Sequence, residues 1–243
     1  MKKYTILAVT ILITVSARAQ EINQTLRDFN KIVVSPKINL ILERGDQESI
    51  RLVYADIPAE KINIGVKGNT LRIFLDDARI TEKTMRVGRH SRRGIYNEVS
   101  VTAYVTYRDL KSLQIRGDQE LSCNSPIDVK KFRLKAYGEN EIRFASLTTE
   151  YFKSTLYGQN DLKVKDGRAD YQKYKLFGEN KIDTRALKSY SATTTIYGES
   201  KVKLTTQDEL RVNSFGESQI TYNGNAHISR GLIFGKARIE KVN

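Results

Sequence analysis

The chain has 243 residues, 28% of them charged and 40% hydrophobic, with a formal net charge of +13. One cysteine, Cys123, excludes an internal disulfide, and two histidines, His90 and His227, leave little material for a zinc site or a histidine-dependent triad. A chain of this size can bury a core without covalent staples.

The first twenty residues, MKKYTILAVTILITVSARAQ, join Lys2 and Lys3, an apolar run from Ile6 to Val15 and the triplet Ala17-Arg18-Ala19. This is the pattern of a secretory signal peptide over residues 1–19. The apolar run is about half the length a membrane-spanning helix needs. No cysteine follows it to carry a lipid. The expected mature chain starts near Gln20 and is exported, without a transmembrane segment, to the periplasm, the cell surface or the medium. Losing Lys2, Lys3 and Arg18 takes the net charge from +13 to +10. Outside the cytoplasm that balance points to acidic glycans, lipopolysaccharide phosphates or a wall polymer rather than nucleic acid, or else serves solubility alone.

Residues 20–110 read as an N-terminal β layer. KINLILERGDQESIRLVYA predicts a strand, a turn at Gly45 and a strand; INIGVKGNTLRIFL predicts a strand, a turn at Gly68-Asn69 and a strand. NEVSVTAYVTY is a further period-two run. Between them lies DDARITEKTMRVGRHSRRGIYN, a long polar connection with Arg86, Arg89, Arg92 and Arg93. It reads as a solvated loop, with a polyanion contact as the functional alternative.

Residues 111–243 carry a repeat. Glycines stand at 117, 138, 158, 178, 198, 216 and 235, at intervals of 21, 20, 20, 20, 18 and 19 residues. A fixed period near 20 with strand-like alternation predicts the stacked coils of a β-solenoid. Four residues after each glycine comes an aliphatic: Leu121, Ile142, Leu162, Ile182, Val202, Ile220 or Ile239. Two before it the pattern is again mostly apolar, so even offsets should face inward. Two after it, Asn140, Asn160, Asn180, Ser200 and Ser218 suit an inward polar ladder at a bend.

Odd offsets should face outward. One before the glycine stand Tyr137, Tyr157, Phe177, Tyr197 and Phe215; five before stand Arg133, Lys153, Lys173 and Arg211, with Thr193 interrupting them. One after come Glu139, Gln159, Glu179, Glu199 and Glu217. The aromatic stripe has three readings: a ladder of rings, a surface covered by other strands or a second chain, or a platform for sugar rings flanked by cations.

Catalysis finds little support. Stacked carboxylates such as Glu139 and Glu179 follow from the ladder itself, and acid–base work also needs a cleft and a raised pKa. The nearest candidates for a calcium cluster are Glu139, Glu141 and Asp161. RGDQE occurs twice, at Arg44–Glu48 and Arg116–Glu120, but both glycines occupy turn or bend positions.

FNKIVVSPKINLILERGD, GNTLRI, the repeated glycine bends and GESQITYNGNA together resemble the "putative auto-transporter adhesin, head GIN domain" family over residues 29–243. The resemblance implies an exported β-solenoid with an adhesin label and brings no catalytic or binding residues to carry over. Where the family favours Gly-Ser-Gly at the bends, this chain has Glu-Asn or Glu-Ser after the glycine.

The expectation is therefore an all-β protein: a right-handed parallel β-solenoid of roughly 20-residue coils behind an antiparallel-rich N-terminal layer. Its expected role is a non-catalytic binding or adhesion-type module without cofactor or metal. It would recognise cell-envelope or environmental glycans, or another envelope protein, through the aromatic and basic face. The alternatives are a structural protein that forms homo-oligomers through the stripe, and a polysaccharide lyase or hydrolase.

Overall fold

The computed structural model describes residues 19–89, 91–97 and 99–242; the expected leader, apart from Ala19, and His90 lie outside them. The N-terminal strands are β1 (Gln20–Thr25), β2 (Lys31–Val34), β3 (Asn39–Arg44), β4 (Ser49–Ala55), β5 (Ile62–Lys67), β6 (Thr70–Leu75), β7 (Thr84–Arg86), β8 (Arg92–Gly94) and β9 (Ser100–Tyr107). The repeat comprises β10 (Ser112–Cys123), β11 (Ile127–Asp128), β12 (Lys131–Phe144), β13 (Leu147–Val164), β14 (Gly167–Asn223) and β15 (His227–Lys241). Strand β14 is long enough to hold the three bends at Gly178, Gly198 and Gly216.

Parallel pairing runs through the whole repeat. Gly117, Gly138, Gly158 and Gly178 stand opposite one another across β10, β12, β13 and β14, and Gly216 stands opposite Gly235 across β14 and β15. Coils one strand spacing apart, about 4.8 Å, therefore stack like residue on like residue. The aliphatic column four after the glycine is fully buried from Leu121 to Ile220, as are Ile115, Ala136, Leu156, Leu176 and Ile196 two before it. Phe132 lies edge-on to Phe144 and stacks on Phe152, and all three rings are fully buried.

The bends need glycine for a local reason. Gly178 has φ +96°, and a Cβ there would stand 2.6 Å from the carbonyl oxygen of Gly158 in the coil beneath. No L side chain fits that conformation or that space without moving a neighbour.

Inside each bend the polar ladder forms. Asn140 Nδ2 donates to Asn160 Oδ1 (2.8 Å), and Asn160 Nδ2 donates to Asn180 Oδ1 (3.0 Å). The Asn180 backbone N–H then donates to Ser200 Oγ (3.3 Å). Each Asn Nδ2 also reaches the carbonyl three residues before it, as Asn160 does at Tyr157 (3.2 Å). Asn160→Ala would strip Asn180 Oδ1 of its donor and leave Asn140 Nδ2 with only the Tyr137 carbonyl at 3.3 Å. The expected loss is about 1–3 kcal/mol, because one buried acceptor is left without a partner. A lower urea midpoint at unchanged slope would register it; an unchanged midpoint would mean the ladder is idle.

The N-terminal layer continues the same coils before it turns antiparallel. β2 pairs in parallel with the first half of β10 and β3 with its second half, so the two make one coil. β6 and β9 make the next coil, parallel to β2 and β3. Only then do antiparallel strands follow: β5 on β6, β4 on β9 and β1 on β4. β3 and β4 do not pair with each other; β9 lies between them. All three strands alternate buried and exposed residues, and that alternation selects a face, not a neighbour.

The polar connection is also more ordered than a solvated loop. β7 and β8 pair as an antiparallel hairpin, Thr84 opposite Gly94 and Arg86 opposite Arg92. Tyr96 anchors it: its hydroxyl donates to the Asp76 carbonyl and its backbone N–H to Glu82, both at 2.6 Å. Burial, then the nearby Asp76, Asp77 and Glu82, raise the Tyr96 phenol above its ordinary pKa, so it stays a donor.

Candidate functional site

The outward columns lie in register along one face. Tyr137, Tyr157, Phe177, Tyr197, Phe215 and Phe234 stack ring on ring, with centroids 5.0, 4.5, 4.9, 4.7 and 5.4 Å apart. Interplanar angles of 6° or less over the first four pairs make them parallel stacks. The Arg116 guanidinium covers the open side of Tyr137, 5.2 Å from the ring centroid. From Tyr137 to Phe215 each ring face is thus covered by a neighbour, and solvent meets ring edges and tyrosine hydroxyls. A sugar ring cannot lie flat on the middle of this stripe. Of the three sequence readings, the ladder of rings is the geometry present.

Beside the column lies a basic patch. Arg133, Lys153 and Lys173 stand opposite one another on adjacent coils. Lys135 and Lys175 flank them, two residues further along their strands, on either side of Thr155. Among the described residues none of these five cations joins an ion pair. The Lys153 ammonium is held below the ordinary lysine pKa, first by partial burial and then by repulsion from Lys175, Lys173, Lys135 and Arg133. Sequence reasoning named the first three and missed Lys135 and Lys175. The signal was there: both stand three before the glycine, another odd offset. Arg211 is exposed but separated from Lys173 by the coil that carries Thr193, so it stands apart from the patch.

On the other side of the bends a groove of about 730 Å³ runs along the coils. Its walls are the residues one and three after each glycine, and its floor is the Asn/Ser ladder. The wall nearer the glycine carries Glu139, Glu179, Glu199 and Glu217; the other passes from Glu141 and Asp161 to Lys181, Lys201 and Arg238. Arg143 bonds both Glu141 (2.8 Å) and Asp161 (2.9 Å), which ties the acids named as calcium candidates to a cation. No group of three or more acidic, histidine or cysteine side chains gathers as a metal site among the described residues.

Of the hairpin arginines, Arg86 is engaged locally. It turns onto its own hairpin, donating to the carbonyls of Gly88 (2.9 Å) and Arg89 (2.8 Å). Arg89, Arg92 and Arg93 lie exposed along the same turn.

Residues 28–226 match the model of a family described as "Putative auto-transporter adhesin, head GIN domain". The chain belongs to that family. The head GIN fold recurs in solved structures. A putative adhesin from Bacteroides fragilis has a TM-score of 0.74 at 17% identity, over 93% of this chain and 98% of its own. A putative adhesin from Parabacteroides merdae has 0.68 at 16%, over 93% and 97%. A protein from Parabacteroides distasonis described as a putative lipid-binding protein has 0.63 at 15%, over 93% and 97%. At these identities the likeness is one of fold. No curated protein matches the chain. Among the described residues of this head GIN domain, no helix is long and apolar enough to cross a membrane.

Proposed function

We propose that this head GIN protein is an exported, non-catalytic adhesion-type module that holds an acidic glycan on the basic patch beside the aromatic column. The carrying observation is the set of five cations, Arg133, Lys135, Lys153, Lys173 and Lys175, on three adjacent coils without an acidic partner. Like charges set one strand spacing apart raise the energy of the empty protein, and a polyanion laid across the coils relieves it. The edges of Tyr137, Tyr157, Phe177 and Tyr197 border the patch and offer apolar contact, and the tyrosine hydroxyls can bond sugar hydroxyls. Phe215 and Arg211 extend the same face at a lower charge density. The signal-peptide pattern of residues 1–19 supports export, and glycan polymers abound outside the cytoplasm.

The test is binding to polygalacturonate, dextran sulfate and neutral dextran at low and high salt. Saturable binding to the two polyanions, weakened by salt, with none to dextran, is the expected result. Equal binding to all three would replace the charge reading with a sugar-hydroxyl one. Binding to none would end it.

A further inference from the structure

Among the described residues, the sheet ends on one side at β15. β15 is the last strand of the main sheet and pairs only with β14, so one side of its 15-residue backbone faces no other described strand. Its side chains are uncovered to match. Leu232 is 60% exposed and Phe234 62%, and Ile228, Ile233 and Ile239 are only partly buried. Their column-mates Ile196 and Ile220 one or two coils inward are fully buried. Phe234 is the ring of the aromatic column with a face left open, since Phe215 covers it from one side alone.

We propose that the outer edge of β15 is a docking edge for an extended segment of a partner protein, added to the solenoid as its next coil. The columns specify the chemistry of that segment. Within the chain, Phe215 lies under Phe234, and Glu217 Oε1 lies 3.6 Å from Lys236 Nζ. The added strand therefore carries an aromatic residue over Phe234 and acids two and four positions further on, over Lys236 and Arg238. Residues 227–242 hold Arg230, Lys236, Arg238 and Lys241 against Glu240, a net +3, which favours an acidic strand. Backbone pairing supplies affinity and the alternate side chains supply choice of partner.

A second copy of the chain fits this edge poorly. Two β15 edges paired about a two-fold axis would bring both sets of cations to one seam, and basic residues on an edge strand oppose that pairing. Head-to-tail stacking meets a stepped surface: at the other end two strands, β4 and β1, lie beyond β9 while β5 alone lies beyond β6. The edge lies past residue 226, where the family match stops, and is independent of the basic patch.

One segment of known sequence meets the specification. The stretch Leu134–Phe144, LKAYGENEIRF, laid in glycine register on β15 places Tyr137 over Phe234, Glu139 over Lys236, Glu141 over Arg238, Ile142 over Ile239 and Arg143 over Glu240. The experiment titrates a labelled synthetic peptide of that sequence into the purified chain and follows anisotropy and amide hydrogen exchange. The expected result is saturable binding with slowed exchange confined to residues 227–241. A peptide with both glutamates replaced by lysine should bind about tenfold more weakly. Phe234→Ala, at a position 62% exposed, should weaken binding while costing the fold no more than its one stack on Phe215. Absence of saturable binding, equal binding of the lysine peptide, or protection at β1 or β5 instead would overturn the proposal. So would a concentration-dependent dimer of the chain that protects β15 by itself, which would make the occupant a second copy.

Discussion

Replacing Gly178 with valine is expected to lower the unfolding free energy by roughly 2–4 kcal/mol. Two costs add. The residue sits at φ +96°, where a β-branched side chain is strained. Its Cβ would also stand 2.6 Å from the Gly158 carbonyl oxygen, and backbone cannot swing away as a flexible side chain can. Relief requires the coils of Gly158 and Gly178 to part, which would stretch the Asn160–Asn180 bond of the ladder and the Tyr157–Phe177 stack together. Gly178→Ala should fall in the same direction by less. Glu179→Ala, one residue on and exposed, should stay within about 0.5 kcal/mol. Urea unfolding of the three variants checks this. A Gly178→Val protein as stable as the parent would mean the glycine column is not what sets the coil spacing.

The same column explains why so much of the repeat could be read from sequence. A glycine every 18 to 21 residues marks a place where backbone meets backbone, so the period of the chain is the period of the stack. Once that register is set, the columns follow by counting, and Asn140, Asn160 and Asn180 could be assigned to an inward ladder before any coordinates. The N-terminal half has no such marker. Its strands alternate in the same way whichever partner they choose, and nothing in KINLILERGDQESIRLVYA reveals that β9 separates β3 from β4. The orientation of the ring planes was also out of reach. An aromatic in every coil is equally compatible with faces turned outward to sugars and with faces turned along the axis to each other. The axial arrangement wins because a coil spacing near 4.8 Å suits stacked rings, and stacking hides apolar faces that would otherwise meet water. The hairpin around Arg86 and Arg92 was missed because its pairing is short and polar, with no apolar alternation to betray it.

Lys153→Glu combined with Lys173→Glu is expected to reduce polyanion affinity by at least tenfold, with no loss of stability. Each reversal replaces an attraction to the polymer with a repulsion, and even in a watery dielectric a unit pair at contact is worth about 1 kcal/mol. The fold should respond in the opposite sense. The two new glutamates would still repel each other across the coils, as the lysines did, but they would attract Arg133, Lys135 and Lys175 where the lysines repelled them, a net change of between 0 and about 1 kcal/mol in favour of the folded state. Lost binding with unchanged or raised stability separates a binding face from a merely structural one. Lost binding together with lost stability would assign these lysines to the fold. The pH dependence has a definite sign. Lys153 has a folded-state pKa below its unfolded value, so its charge costs the fold in full below the folded pKa, and that cost is relieved as pH rises through it. A bound polyanion favours the ammonium form and pulls that pKa back up, so binding takes up protons. Affinity should therefore fall as pH climbs through the depressed Lys153 pKa, ahead of the ordinary lysines near pH 10. Titration calorimetry in buffers of different ionisation enthalpy would register the proton uptake. Its absence, with affinity flat across that range, would place the anion somewhere other than against Lys153.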